Sequence, residues 1–154
     1  MDNNDILRSL RYTFNIGDSK MIEIFALADH TITRAEVTDW LKKEDDPAFK
    51  PIYDKELAIF LNGLINDKRG KKEGEQPNPE KTLDNNIVFR KLKIALNFKD
   101  EDILEILDQR DMHISKHELS AFFRKPTQDQ YRPCKDQILR NFLHGLQLKF
   151  RPTE

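Results

Sequence analysis

Shifted by 82 positions, the sequence aligns with itself: residues 3–70 pair with residues 85–152 without a gap, and 20 of the 68 pairs are identical. Agreement over so long a register means that both halves descend from one unit, so the fold must be one that the chain can build twice. The identities include Arg8/Arg90, Leu10/Leu92, Asn15/Asn97, Asp18/Asp100, Glu23/Glu105, Ile24/Ile106, Asp29/Asp111, Glu36/Glu118, Phe60/Phe142 and Gly63/Gly145. Other pairs exchange one apolar residue for another, as in Trp40/Phe122, Leu41/Phe123 and Val37/Leu119. A preserved core tolerates that kind of exchange.

Each copy reads as four helices. Ile6, Leu7, Leu10 and Phe14 form one stripe at helical spacing, and Val88, Phe89, Leu92 and Leu96 repeat it. A second helix is expected to start near Asp18, capped by that carboxylate, with Asp100 in the same role. The third starts most clearly. Thr33-Arg34-Ala35-Glu36 and Ser115-Lys116-His117-Glu118 are both capping boxes, and Ile32 with Val37 and Ile114 with Leu119 supply hydrophobic staples. A fourth helix follows Pro51 and Pro133, carrying Leu57, Phe60, Leu61 and Leu64 or their counterparts. Gly63 and Gly145 lie inside it, where glycine costs about 1 kcal/mol relative to alanine. Retention in both copies points to close approach of another backbone, and the reading places the crossing between the copies.

The expected architecture is therefore all-α: residues 1–69 and 84–154 as two four-helix repeats packed with pseudo-twofold symmetry, joined by a flexible linker at residues 70–83. From Lys68 to Glu80 the sequence has no apolar residue and is punctuated by Gly and Pro, so it cannot offset its ordering entropy by burial. The 26 basic and 27 acidic residues leave a net charge of −1, so no overall field draws the protein to nucleic acid or an anionic membrane. A lone cysteine rules out an intramolecular disulfide and fits a reducing compartment, and no apolar run has the length of a membrane span. A cytoplasmic location is expected.

Candidate chemistry is sparse. The second and third helices invite comparison with a helix-turn-helix, yet Arg34 is offset by Glu36 and Asp39, and the turn from Leu27 to Ile32 is long and lacks Gly. The second copy, with Lys116, Arg124 and Lys125, is the more basic reader; with Lys68, Arg69, Lys71 and Lys72 these are the candidate nucleic-acid contacts. A calcium loop fails, because its ligand positions fall on Phe25 and Leu27 or on Leu107 and Gln109. His113 and His117 are separated by a helix cap and have no third ligand, and the acidic run Glu44-Asp45-Asp46 reads as solvated. Cys134 lies near a helix start, where the dipole would lower its pKa, but it has no His partner. No metal or cofactor is expected.

On these residues the chain resembles the YehS-like family of bacterial tandem proteins, through Asn3-Asn4-Asp5-Ile6-Leu7-Arg8, Trp40-Leu41-Lys42-Lys43-Glu44 and Phe60-Leu61-Asn62-Gly63-Leu64-Ile65. The resemblance implies a duplicated helical protein and carries no catalytic or ligand residues. The leading functional expectation is a non-enzymatic interaction or regulatory module with a protein partner. Its alternatives are a nucleic-acid-associated regulator, and a small-ligand binder or enzyme whose site lies between the repeats.

Overall fold

Helix starts and stops are written twice into the chain, and the computed structural model, which describes residues 1–151, places them in the same register. The first copy holds α1 (Asn3–Thr13), α2 (Asp18–Leu27), α3 (Arg34–Leu41) and α4 (Asp54–Arg69). The second holds α5 (Asn85–Ala95), α6 (Asp100–Asp108), α7 (Lys116–Phe122) and α8 (Asp136–Phe150). Among the described residues there is no strand. The last three residues assigned to the second copy, 152–154, lie outside the described chain.

Both capping boxes form. Glu36 N–H donates to Thr33 Oγ1 at 3.2 Å while Thr33 N–H donates to the Glu36 carboxylate at 3.1 Å. In the second copy the two distances are 3.0 and 3.1 Å. A further box, between Asp2 and Asp5, opens α1. Asp18 does not cap. The N-cap is Gly17, with no side-chain bond, and Asp18 is the first helical residue, its carboxylate 3.5 Å from Arg34. At that position a carboxylate still complements the positive end of the helix dipole.

Stops explain two identical pairs. Asn15 and Asn97 have φ of 52° and 54°, and Asp29 and Asp111 have 59° and 56°, the left-handed conformation that Asn and Asp tolerate best after Gly. Around each, paired backbone bonds such as Ile16 N–H to Arg11 O and Asn15 N–H to Tyr12 O close the helix end.

Asparagine also holds each copy together. Buried Asn4 donates to the carbonyls of Trp40 (2.9 Å) and Lys50 (3.0 Å) and accepts from Ile52 N–H (3.1 Å). Asn86 does the same with Phe122, Arg132 and Cys134, at 3.0, 2.9 and 2.8 Å. The clamp ties the start of α1 or α5 to the end of the third helix and to the extended segment that precedes the fourth. Without it three backbone groups would be buried unpaired.

Two seams join the copies: α4 packs along α5, and α8 along α1. Buried apolar side chains of both repeats, all but Ala58 and Ala121 among the described residues, fall in one contiguous core. Every residue of α4 from Leu57 to Leu64 is buried, which marks it as the central helix; α8 buries only Leu139, Phe142, Leu143, Gly145 and Leu146 of its length. The glycines do not mark a crossing between copies. A Cβ on Gly63 would fall on the carbonyl oxygen of Ile24 in α2, and one on Gly145 would press on the Ile106 side chain of α6, so each glycine seats its helix within its own repeat.

Residues 70–84 carry no helix. Gly70, with φ of 90°, ends α4, so Lys68 and Arg69 belong to the last turn of that helix rather than to the connection. The segment runs against both copies. Lys71 reaches Asp29 at 2.7 Å, Asn66 donates to the Gln76 side chain at 2.7 Å, and Glu80 lies 3.1 Å from Lys91.

Candidate functional site at the seams between the copies

A polar cleft opens along the α1–α8 seam. It encloses about 460 Å³ and takes from each helix the stripe that recurs every three or four residues. Met1 lies just before α1 and is paired through its amino group with Asp136 at 3.6 Å; Asp5, Arg8, Ser9 and Tyr12 come from α1; Arg140, Leu143, His144 and Gln147 come from α8. Arg8 is held in place by Asp5 at 3.2 Å and by the carbonyl of Lys42 at 2.7 Å. Gln147 donates to the Ser9 hydroxyl across the seam at 3.3 Å. At the far end Arg151 donates to the carbonyl of Tyr12 and lies over its ring, 4.2 Å from the centroid. Arg140 has no hydrogen-bond or ion-pair partner among the described residues. Partial desolvation, with the Arg110 and Arg140 guanidiniums nearby, pushes the His144 imidazole below its ordinary pKa, so it is mainly neutral at pH 7.

The other seam is the internal control. At the positions equivalent to Asp5, Ser9 and Tyr12, α5 has Ile87, Lys91 and Ile94; at those of Arg140, His144 and Gln147, α4 has Ala58, Asn62 and Ile65. Ala58, Leu61 and Asn62 are buried, and Lys91 crosses to bond Asn62 at 2.6 Å. At four of the six positions the α4–α5 seam has an apolar residue where the α1–α8 seam has a polar one.

Of the seven cations expected to contact nucleic acid, three are engaged by other groups of the chain. Lys68 sits over the Phe14 ring, 4.7 Å from its centroid; Lys71 is paired with Asp29; Lys116 is paired with Glu101 at 3.0 Å. Arg69 and Lys72 line one cavity, walled also by Glu73 and Glu75. Arg124 is half-buried, next in sequence to Phe123, and Lys125 is exposed in the following loop, its backbone N–H donating to Gln128. Arg34, the cation of the first helix-turn-helix candidate, is bound to Asp18 and Ser19. The structure adds Arg90 and Lys93 beside Arg69, and Arg8 and Arg140 in the cleft. The repeat alignment carried a signal for the first of these: Arg8/Arg90 is an identical pair.

Other chemistry is absent or already engaged. Burial pushes the Cys134 thiol up to about 12, which corrects the expectation of a dipole-lowered pKa; the side chain fills the core position that Ile52 fills in the first copy. His113 Nδ1 lies 2.7 Å from Asp108, and His30 packs on Phe25. Carboxylate oxygens of Asp2, Asp5 and Glu44 converge within 4.8 Å, all three exposed, and Asp2 and Asp5 are committed to the capping box. No described helix is long and apolar enough to cross a membrane.

A family profile described as "Protein of unknown function (DUF1456)" matches residues 3–70 and 85–151, the two copies. The chain belongs to the DUF1456 family. It is 43% identical over 147 residues to the uncharacterised protein YehS of Escherichia coli (strain K12), covering 95% of this chain and 94% of that one. No solved structure matches. The DUF1456 match breaks between residues 70 and 85, so the connecting segment falls outside the repeated unit. Within the unit, the Asn-Asn pair that opens each DUF1456 copy has the structural task of the clamp.

Proposed function

We propose that the protein is a non-enzymatic regulatory binding module whose two copies form one scaffold, and that it holds a small hydrophilic anion of the carboxylate class in the α1–α8 cleft. One observation carries this reading: at four of the six equivalent positions the cleft has a polar side chain where the twin seam has an apolar one, Asp5 for Ile87, Tyr12 for Ile94, Arg140 for Ala58 and Gln147 for Ile65. Apolar side chains at such a seam would add to stability when buried. The unpaired Arg140, with Arg8 beside it and hydroxyl and amide groups from Ser9, Tyr12 and Gln147, fits a carboxylate and a hydrated remainder. The non-enzymatic part rests on the cleft's hydroxyl: Ser9 accepts from Gln147 and has no imidazole bonded to it among the described residues that would take its proton.

The test replaces cleft residues by those of the twin seam, Arg140→Ala together with His144→Asn. Parent and variant are titrated with citrate, malonate and lactate while amide NMR shifts are followed. Shifts confined to the α1 and α8 stripes in the parent and lost in the variant are expected. No shifts in the parent, or shifts mapping away from both stripes, would remove the reading.

A further inference from the structure

At the end of the α4–α5 seam a separate cavity of about 400 Å³ is lined by Arg69, Arg90, Lys93, Ile94, Phe98 and Phe123, with Asn97 at its edge. We infer that this cavity is a binding site for a small organic phosphate, a phosphomonoester carrying a ring. The α1–α8 seam shows what the equivalent arginines do without a ligand. There Arg8 is bound by Asp5 and by the carbonyl of Lys42, and Arg151 is bound by the carbonyl of Tyr12 and stacked on its ring. Each guanidinium is satisfied within the protein. At the second site Ile87 stands where Asp5 does and Ile94 where Tyr12 does, so Arg90 loses its carboxylate and Arg69 its ring. Neither has an ion-pair partner among the described residues.

Equivalent arginines stand at both seams, but the Asp5 carboxylate and the Tyr12 ring have no counterpart at this one. Two unpaired guanidiniums in one cavity offer planar, paired donors matched to a phosphate dianion. Lys93 adds charge to the wall, although its ammonium is held by Asp100 at 3.0 Å and by the Phe123 ring at 4.4 Å. The divergence also changed the apolar lining: Phe98 stands for Ile16, Phe123 for Leu41, and Ile94 is 46% exposed. A ring on the ligand would cover that surface. Size and charge bound the ligand. The adjoining cavity shares Arg69 and Ile94 but is walled by Glu73 and Glu75, whose carboxylates repel a second phosphate along that direction. A single phosphate group fits; a polynucleotide does not. The site is distinct from the α1–α8 cleft, and it stands or falls on separate residues.

The test uses the full chain with adenosine 5′-monophosphate, adenosine, inorganic phosphate and a short single-stranded oligonucleotide as probes, followed by calorimetry. The monophosphate is expected to bind and adenosine to fail. Arg90→Gln, Arg69→Gln and Ile87→Asp, the last restoring to Arg90 the carboxylate that Arg8 has, should each weaken binding about tenfold or more. Circular dichroism confirms that each variant is folded, and Lys149→Gln, outside both cavities, controls for net charge. Absence of monophosphate binding, binding unchanged in all three variants, or an oligonucleotide bound more tightly than the monophosphate would each overturn the inference. Any of these outcomes leaves the carboxylate cleft to its own titration.

Discussion

Replacing Gly63 by alanine tests how α4 is seated. The added Cβ falls on the carbonyl oxygen of Ile24, a backbone atom fixed in the middle of α2, so the two helices must move apart. The contact they share is central, with Met21, Ile24 and Phe25 packed against Leu57, Phe60 and Leu64, all fully buried. Overpacking of a rigid contact costs about 1–3 kcal/mol, occasionally more, and here the upper end applies because no side chain can rotate out of the way. Helix propensity returns about 1 kcal/mol for Gly→Ala. The net loss is about 2 kcal/mol, a fall in Tm of roughly 4–8 °C for a chain of this size. Gly145→Ala is the comparison. Its Cβ meets the Ile106 Cγ2 methyl, which is carried on the stiff χ1 of a β-branched side chain buried in α6, and reaches the carbonyl oxygen at 3.0 Å. Overpacking of about 1–3 kcal/mol, less the propensity gain of about 1 kcal/mol, leaves a loss of about 1 kcal/mol, smaller than that of Gly63→Ala. Urea and thermal unfolding followed by circular dichroism measure both. A Gly63→Ala protein as stable as the parent, or a Gly145→Ala protein less stable than Gly63→Ala, would refute the reasoning.

Other perturbations follow from the same geometry. Asn4→Ala and Asn86→Ala each leave three backbone groups without their partner and should cost about 3 kcal/mol or more in urea unfolding; an unchanged midpoint would deny the clamp. Thr13→Ala should be neutral or stabilise by up to about 1 kcal/mol, because Thr13 Oγ1 is buried without a partner and the twin position is Ala95; a clear loss of stability would show a bond made by that hydroxyl. With its pKa raised to about 12 by burial, the Cys134 thiol should react with a disulfide reagent only as the protein unfolds; rapid reaction of the native protein at neutral pH would contradict its burial. Replacement of Lys68, Arg69, Lys71 and Lys72 by Ser should leave no salt-resistant nucleic-acid binding to lose, as read by anisotropy with mixed DNA and RNA fragments. Binding by the parent that persists near physiological salt and falls in this variant would favour the nucleic-acid reading instead.

Helix content, the repeat register and the start of the third helix were legible because each is a local property stated twice. Thr33 with Glu36 and Ser115 with Glu118 need only a spacing of three residues to be recognised. Long-range polar contacts were not legible. Nothing near Asn4 in sequence announces that its amide will meet Trp40, Lys50 and Ile52, which lie 36 to 48 residues away. The glycines gave the right physical cause and the wrong partner, since a missing Cβ says that something approaches but not from where. Asn15 and Asp29 were visible as conserved pairs, yet their left-handed φ emerges only with the helix ends drawn. Core substitutions were compensated across elements: Phe25 and Leu7 in one copy become Leu107 and Phe89 in the other, moving an aromatic ring from the second helix to the first. The cleft escaped the sequence because its residues, four from α1 and four from α8, are joined only by packing.

The two seams also explain why a duplicated chain gains something that a symmetric pair of single units lacks. In a twofold contact between identical units every feature occurs twice, so a polar cleft in one seam is a polar cleft in both, and the pair loses packing at two places. Joining the units on one chain removes that constraint. Here α4 and α5 form the closed seam, with Ala58, Leu61 and Asn62 buried and Lys91 bonded to Asn62, and they hold the copies in one core. With that contact secured, the α1–α8 seam can keep Arg140, His144, Ser9 and Tyr12 open to solvent without loss of the arrangement that positions them. The reverse holds at the arginines, where the α1–α8 seam ties Arg8 and Arg151 to internal partners and the α4–α5 seam leaves Arg90 and Arg69 without an ion-pair partner among the described residues. Each seam is therefore rigid where the other is available, a division of roles that follows from broken symmetry rather than from any single residue.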